Sequence, residues 1–86
     1  MIRMICRNRL RDFAEWKSIF DSHSSAHHEA GLSLEHLWRG IADPNEVFFI
    51  FTVTDIDKAE AFISAPDAAE TGRKAGVLDG DYWFVE

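Results

Sequence analysis

Histidine, asparagine and tryptophan are the residue types in this chain with most to offer chemically, and their spacing groups them. His23 and His27 stand four residues apart on the apolar side of the repeat Phe13, Trp16, Ile19, Phe20, His23, Ala26, His27, Ala30. Side chains four apart on a helix are neighbours, and imidazole changes charge near neutral pH. The pair can therefore move a proton or orient a ligand. The other reading is a core histidine bonded to backbone beside a second one at a fraying helix end. His28 falls on the opposite side, where solvent is expected. His36 and Trp38 stand two apart in an alternating stretch, and Asn8 keeps step with Met4, Cys6 and Leu10 in an earlier one. If both stretches face the helix that carries Trp16 and His23, these side chains converge on one cleft. His23 or His36 would then act as base, and Asn8 as hydrogen-bond donor to developing negative charge. Trp16, Trp38, Phe49 and Phe51 would form the aromatic, substrate-binding walls. The alternative is a core in which these rings leave no cavity.

His23, His27 and His36 are also metal-ligand types. No carboxylate at a fitting spacing completes the set, and Cys6 is the only cysteine. No metal and no cofactor are therefore expected. The chain has no nucleophile elbow, phosphate-cradling glycine loop or nucleotide fingerprint.

Eighty-six residues leave room for one domain, 1–86. So short a chain buries only about two-thirds of its extended surface and usually needs a disulfide, a metal or association. With one cysteine, expected as a small buried hydrophobe, and no metal set, association with a second copy is the expected route. The formal charge is −6, from 15 acidic against 9 basic residues, so nucleic acid is not expected as a partner. Arg3, Arg7 and Arg9 interrupt the first apolar residues. No signal peptide or membrane span fits there or later, so no membrane partner and a cytoplasmic setting are expected.

The elements that must position these groups follow from local signals. Alternation over residues 2 to 10 suits a strand. Asp12 caps a helix, with Glu15 placed to reach back as in a capping box, and Gly31 ends it in the left-handed conformation. Leu32 to Arg39 read as strand two, and Asp43-Pro44-Asn45-Glu46 as a type I turn. Val47 to Thr54 read as strand three. Thr54 or Asp55 caps a second helix, and Pro66 opens a further short one through about Lys74. A turn at Asp79-Gly80 is expected to precede a last strand from Tyr82 to Val85. The order is βαββαβ, the ferredoxin-like α+β plan, with four antiparallel strands and helices on one face.

A turn centred on Pro44-Asn45 puts Trp38 opposite Phe51. Opposed residues share a face, so Leu34, His36 and Trp38 are expected under the helices with Phe49, Phe51 and Val53. Glu35, Leu37 and Arg39 then share the open face with Phe48, Ile50 and Thr52. That open patch is too apolar for a monomer, and two such sheets packed face to face would cover it. Arg7, Arg9 and Arg39 are expected on that side or its rim, paired with Glu35 or with the partner's acids, or alternatively holding an anionic ligand.

Asp12-Phe13, Trp16-Lys17, Phe20-Asp21, His23, Ala30-Gly31, Arg39, Asp43-Pro44-Asn45-Glu46-Val47 and Ala75-Gly76-Val77 together resemble a family of short bacterial proteins. These belong to the dimeric α/β-barrel superfamily, with its antibiotic biosynthesis monooxygenases. The resemblance covers nearly the whole chain. It implies a homodimer binding a small apolar or aromatic ligand. The implied activity is that of a cofactor-independent monooxygenase, or a cyclase or isomerase, acting on a small aromatic or polyketide-like compound. Superfamily members without catalysis leave a ligand-binding or structural dimerisation module as the alternative.

Overall fold

The computed structural model describes residues 1–86. The elements run β1 (Ile2–Leu10), α1 (Phe13–Ser22), α2 (Ser24–Glu29), β2 (Leu32–Arg39), β3 (Glu46–Val53), α3 (Ile56–Ser64), α4 (Pro66–Lys74) and β4 (Val77–Val85). The strands form one antiparallel sheet in the order β2-β3-β1-β4, the ferredoxin-like α+β arrangement. Its core joins Met4, Cys6 and Leu10 of β1 and Val47, Phe49, Phe51 and Val53 of β3 to Trp16, Ala30, Ala59 and Ala75 above them. No helix is long and apolar enough to cross a membrane.

Two clamps fix the start of α1. The Asp12 carboxylate accepts from the Glu15 amide at 2.9 Å, as expected of an N-cap. Glu15 does not reach back to complete a capping box, because its carboxylate pairs with Arg11 instead. The second clamp comes from the β2–β3 turn, where Asn45 Oδ1 accepts from the Phe13 amide at 2.9 Å and the Asn45 carbonyl accepts from Leu10 at 2.7 Å. The turn itself is closed by Glu46 donating to the Asp43 carbonyl at 3.0 Å. It therefore ties strand, hairpin and helix together.

The single helix expected from Asp12 to Gly31 is broken at His23, the joint between α1 and α2. Ser22 Oγ donates to the Ile19 carbonyl at 2.6 Å, and His23 Nδ1 approaches the same oxygen at 2.9 Å. Side chains that take a helical carbonyl compete with the next turn of backbone bonds. Gly31 does take the left-handed conformation, at φ 77°.

Two strand expectations are corrected. The β2–β3 register carries a bulge between Leu34 and His36, so Leu34 opposes Phe51 while Trp38 opposes Phe48. Leu32 and Leu37 both pack on the helix side. Residues an odd number apart share a face only when an extra residue intervenes. The bulge thus sends His36 and Trp38 to the open face and brings Leu37 and Arg39 under the helices, the reverse of the expected parity. The second correction concerns β4, which starts at Val77 and runs through Asp79-Gly80 without a turn. Arg9 and Arg7 hold the Asp79 carboxylate at 2.7 and 3.0 Å and keep this stretch in the ladder.

Asn45→Ala removes the second clamp on α1 and leaves the turn backbone in place. Loss of a side-chain cap costs about 1 kcal/mol, which for a domain this small lowers Tm by about 4–8 °C. An unchanged melting temperature by circular dichroism would show that the Asp12 cap alone holds the helix.

Candidate functional site

A cleft of about 1000 Å³ lies between the sheet and the helices. β1 contributes Met4, Cys6 and Asn8 to its floor, and β3 contributes Phe49 and Phe51. These line up because Cys6 opposes Phe49 and Met4 opposes Phe51 across the strand pair. Trp16, Phe20 and His23 descend from α1 and its end, His27 from α2, and Phe62 and Ile63 from α3. α4 borders the top with the small Ala68, Ala69 and Gly72 and the charged Asp67, Glu70, Arg73 and Lys74, and buries none of its own side chains.

The walls are aromatic. Trp16, only 3% exposed, stacks on Phe20 with centroids 4.6 Å apart and meets Phe49 at 5.6 Å. His27 sits among three rings, 5.0 Å from Phe20, 5.3 Å from Phe51 and 5.7 Å from Phe62. Burial, and secondarily the charge of His23, holds the His27 pKa below its ordinary value, so the ring is neutral at pH 7. His23 Nδ1 faces two oxygens, the Ile19 carbonyl at 2.9 Å and Ser22 Oγ at 3.1 Å. With the Ser22 proton directed to Ile19, a proton on Nδ1 suits the contact with the same carbonyl, and in the neutral form of the ring Nε2 is then left as an acceptor. That is the form a general base requires. Burial pushes the Cys6 thiol up to about 12, which removes it as a nucleophile at neutral pH.

Of the residues expected to converge, Asn8, Trp16, His23, Phe49 and Phe51 do line the cleft. His36 and Trp38 do not. The bulge places them on the open face, where their rings stack 5.1 Å apart and Trp38 is 50% exposed. The base role considered for His36 and the wall role considered for Trp38 therefore have no place in this cleft. Arg39 is also on the helix-bearing side, 4.1 Å over the Phe13 ring, with Nε donating to the Pro44 carbonyl. Arg7 and Arg9 do lie on the open face, but their partners are in their own chain. Arg7 contacts Asp81 at 2.8 Å, Glu46 at 2.9 Å and Asp79 at 3.0 Å. These carboxylates raise the Arg7 pKa, while hydrogen bonds from Arg9 and then Arg7 lower that of Asp79. An anionic ligand there would have to displace them. Glu35, expected to pair with Arg7, Arg9 or Arg39, pairs instead with Arg3 at 3.0 Å.

Sequence reasoning missed Tyr82, Phe62 and Ile63 as lining residues. Alternation back from Phe84 marks Tyr82, which opposes Cys6, but the expected Asp79-Gly80 turn hid that continuity.

The lowered His27 pKa has a definite sign. Protonation favours the unfolded chain, so the contribution to stability is whole above the unfolded value of 6.5 and is lost as pH falls below it. Melting temperature should therefore fall from about pH 7 to about pH 5, and His27→Gln should flatten that fall. Parallel pH profiles for the two proteins would contradict a neutral His27 in the folded chain.

No protein-family model and no curated protein matches the sequence. Solved structures match over nearly the whole chain. A Bordetella bronchiseptica protein of antibiotic biosynthesis monooxygenase type superposes with a TM-score of 0.78 at 14% identity, over 99% of this chain and 94% of that one. SnoaB, a cofactor-independent oxygenase from Streptomyces nogalater, does so with a TM-score of 0.71 at 17% identity, over 99% and 90%. An uncharacterized NIPSNAP domain protein from Burkholderia xenovorans gives 0.70 at 14%, over 100% and 93%. At such identities the likeness is one of fold, and this chain has the ferredoxin-like α+β fold of the antibiotic biosynthesis monooxygenase-like structures.

Proposed function

We propose that the chain is a homodimer whose cleft binds a compact aromatic or polyketide-like molecule and oxidises it without a cofactor. The observation that carries this reading is an aromatic-walled cleft whose polar groups include Asn8 and the acceptor-bearing His23. His23 Nε2 would take a proton from an acidic ring-flanking carbon, and the Asn8 amide would stabilise the oxyanion that forms. The resulting carbanion then reduces dioxygen, so that a CH2 and one O2 become a carbonyl and one water. The substrate supplies the electrons. A cyclase or isomerase would use the same base and donor without oxygen.

The dimer reading rests on the open face. Ile5, Phe48, Ile50, Trp38 and Trp83 lie there, and Trp83 is 52% exposed. The molecule's longer dimensions, 32 and 25 Å, bound a face on the order of the ~800 Å² that each partner gives to a standard interface. Each side chain fully buried there contributes about 1.5–3 kcal/mol. A second copy suits this face, since a two-fold axis covers both patches at once.

Anthrone tests the reaction, because its CH2 lies between two rings and opposite a carbonyl. In chelator-containing buffer the protein should consume one O2 per anthrone. Asn8→Ala should slow this by about 10²-fold or more, and His23→Ala by at least 10²-fold. Light scattering should give about twice the 9.8 kDa chain mass. Anthrone that binds without oxygen uptake would leave a non-catalytic binding module, and a monomer mass would remove the dimer.

A further inference from the structure

Gly80 faces Asn8 across the β1–β4 pair, and both line the cleft. Nothing in the backbone requires glycine there, since the positive-φ glycines are Gly31 and Gly76 alone. The space does require it. A Cβ at position 80 would collide with Asn8 Oδ1 and lie 2.9 Å from the Arg7 carbonyl oxygen. A strand-interior glycine forgoes cross-strand packing and carries an entropic penalty, so the gain must lie in what occupies the vacated space. That occupant is the Asn8 amide, which enters none of the chain's side-chain hydrogen bonds and so keeps its donors and acceptor for something in the cleft.

We propose that Gly80 is a positioning residue: it opens a notch in β4 where the Asn8 amide lies, and the notch makes the cleft select aromatic ligands that carry a carbonyl or phenolic oxygen. This role rests on the cleft being a ligand site, and extends it by naming the group recognised. Tetralin and 1-tetralone differ by that one oxygen and serve as probes.

Calorimetric titration of the wild-type protein should show both probes binding. Gly80→Ala should weaken 1-tetralone about tenfold, the worth of one net hydrogen bond, and leave tetralin within twofold. In an Asn8→Ala background, Gly80→Ala should change neither affinity. Equal losses for both probes in Gly80→Ala, or no loss for either, would overturn the proposal. If Gly80→Ala does not fold, the wild-type protein decides. The Asn8 side-chain amide resonance, assigned by its disappearance in Asn8→Ala, should shift with 1-tetralone and stay in place with tetralin. Equal response to both, or to neither when both bind, overturns the notch while leaving the cleft intact. If neither probe binds the wild-type protein, the cleft itself is lost as a ligand site and the notch with it.

Discussion

The pairing of β1 with β3 runs without interruption from Ile2 opposite Val53 to Arg9 opposite Glu46, and it decides what each side of the sheet presents. Side chains alternate, so a slip of one residue would exchange the two faces completely. In the observed register Met4, Cys6 and Asn8 stand under the helices with Val47, Phe49 and Phe51, while Ile5 and Arg7 share the open face with Phe48 and Ile50. Both faces of this central pair are apolar over part of their length. The helices cover one. The other has only the ion pairs of Arg3, Arg7 and Arg9 along it.

The cleft follows from the same register together with a helix, α4, that buries no side chain in it. The sheet and α1 supply large rings at its base, and Val47 beneath them is fully buried. α4, whose alanines and Gly72 alternate with exposed charged residues, buries no side chain against them. What remains is an aromatic recess with Asn8 on β1 and His23 at the break between α1 and α2. At that break the Ile19 carbonyl, without its regular helical partner, lies 2.9 Å from His23 Nδ1 and orients the ring. His23, held through Nδ1, differs from His27, which burial keeps uncharged among three phenylalanines.

Short-range chemistry was legible in the sequence. Asp12 and Asp55 cap their helices, Pro66 opens α4, and Gly31 turns left-handed as expected. Each depends on residues within a few positions. What was not legible depends on distant partners. The bulge in β2 shows in the sequence only as the odd spacing of Leu32 and Leu37, and its consequence was to move His36 and Trp38 out of the site. Asp79-Gly80 looks like a turn until Arg7, Arg9 and Asn8 are seen beside it. The cleft lining was thus half visible, with the expected β1, β3 and α1 residues on it and the expected β2 residues off it, because one inserted residue reverses parity for the rest of a strand.

A crystal structure of the protein grown with 1-tetralone tests the account most directly. The expected result is ring density beneath α4 against Trp16 and Phe49, the ketone oxygen toward Asn8, and a second copy over Ile50 and Phe48. Density on the Trp38–His36 stack of the open face, with the cleft unfilled, would contradict it.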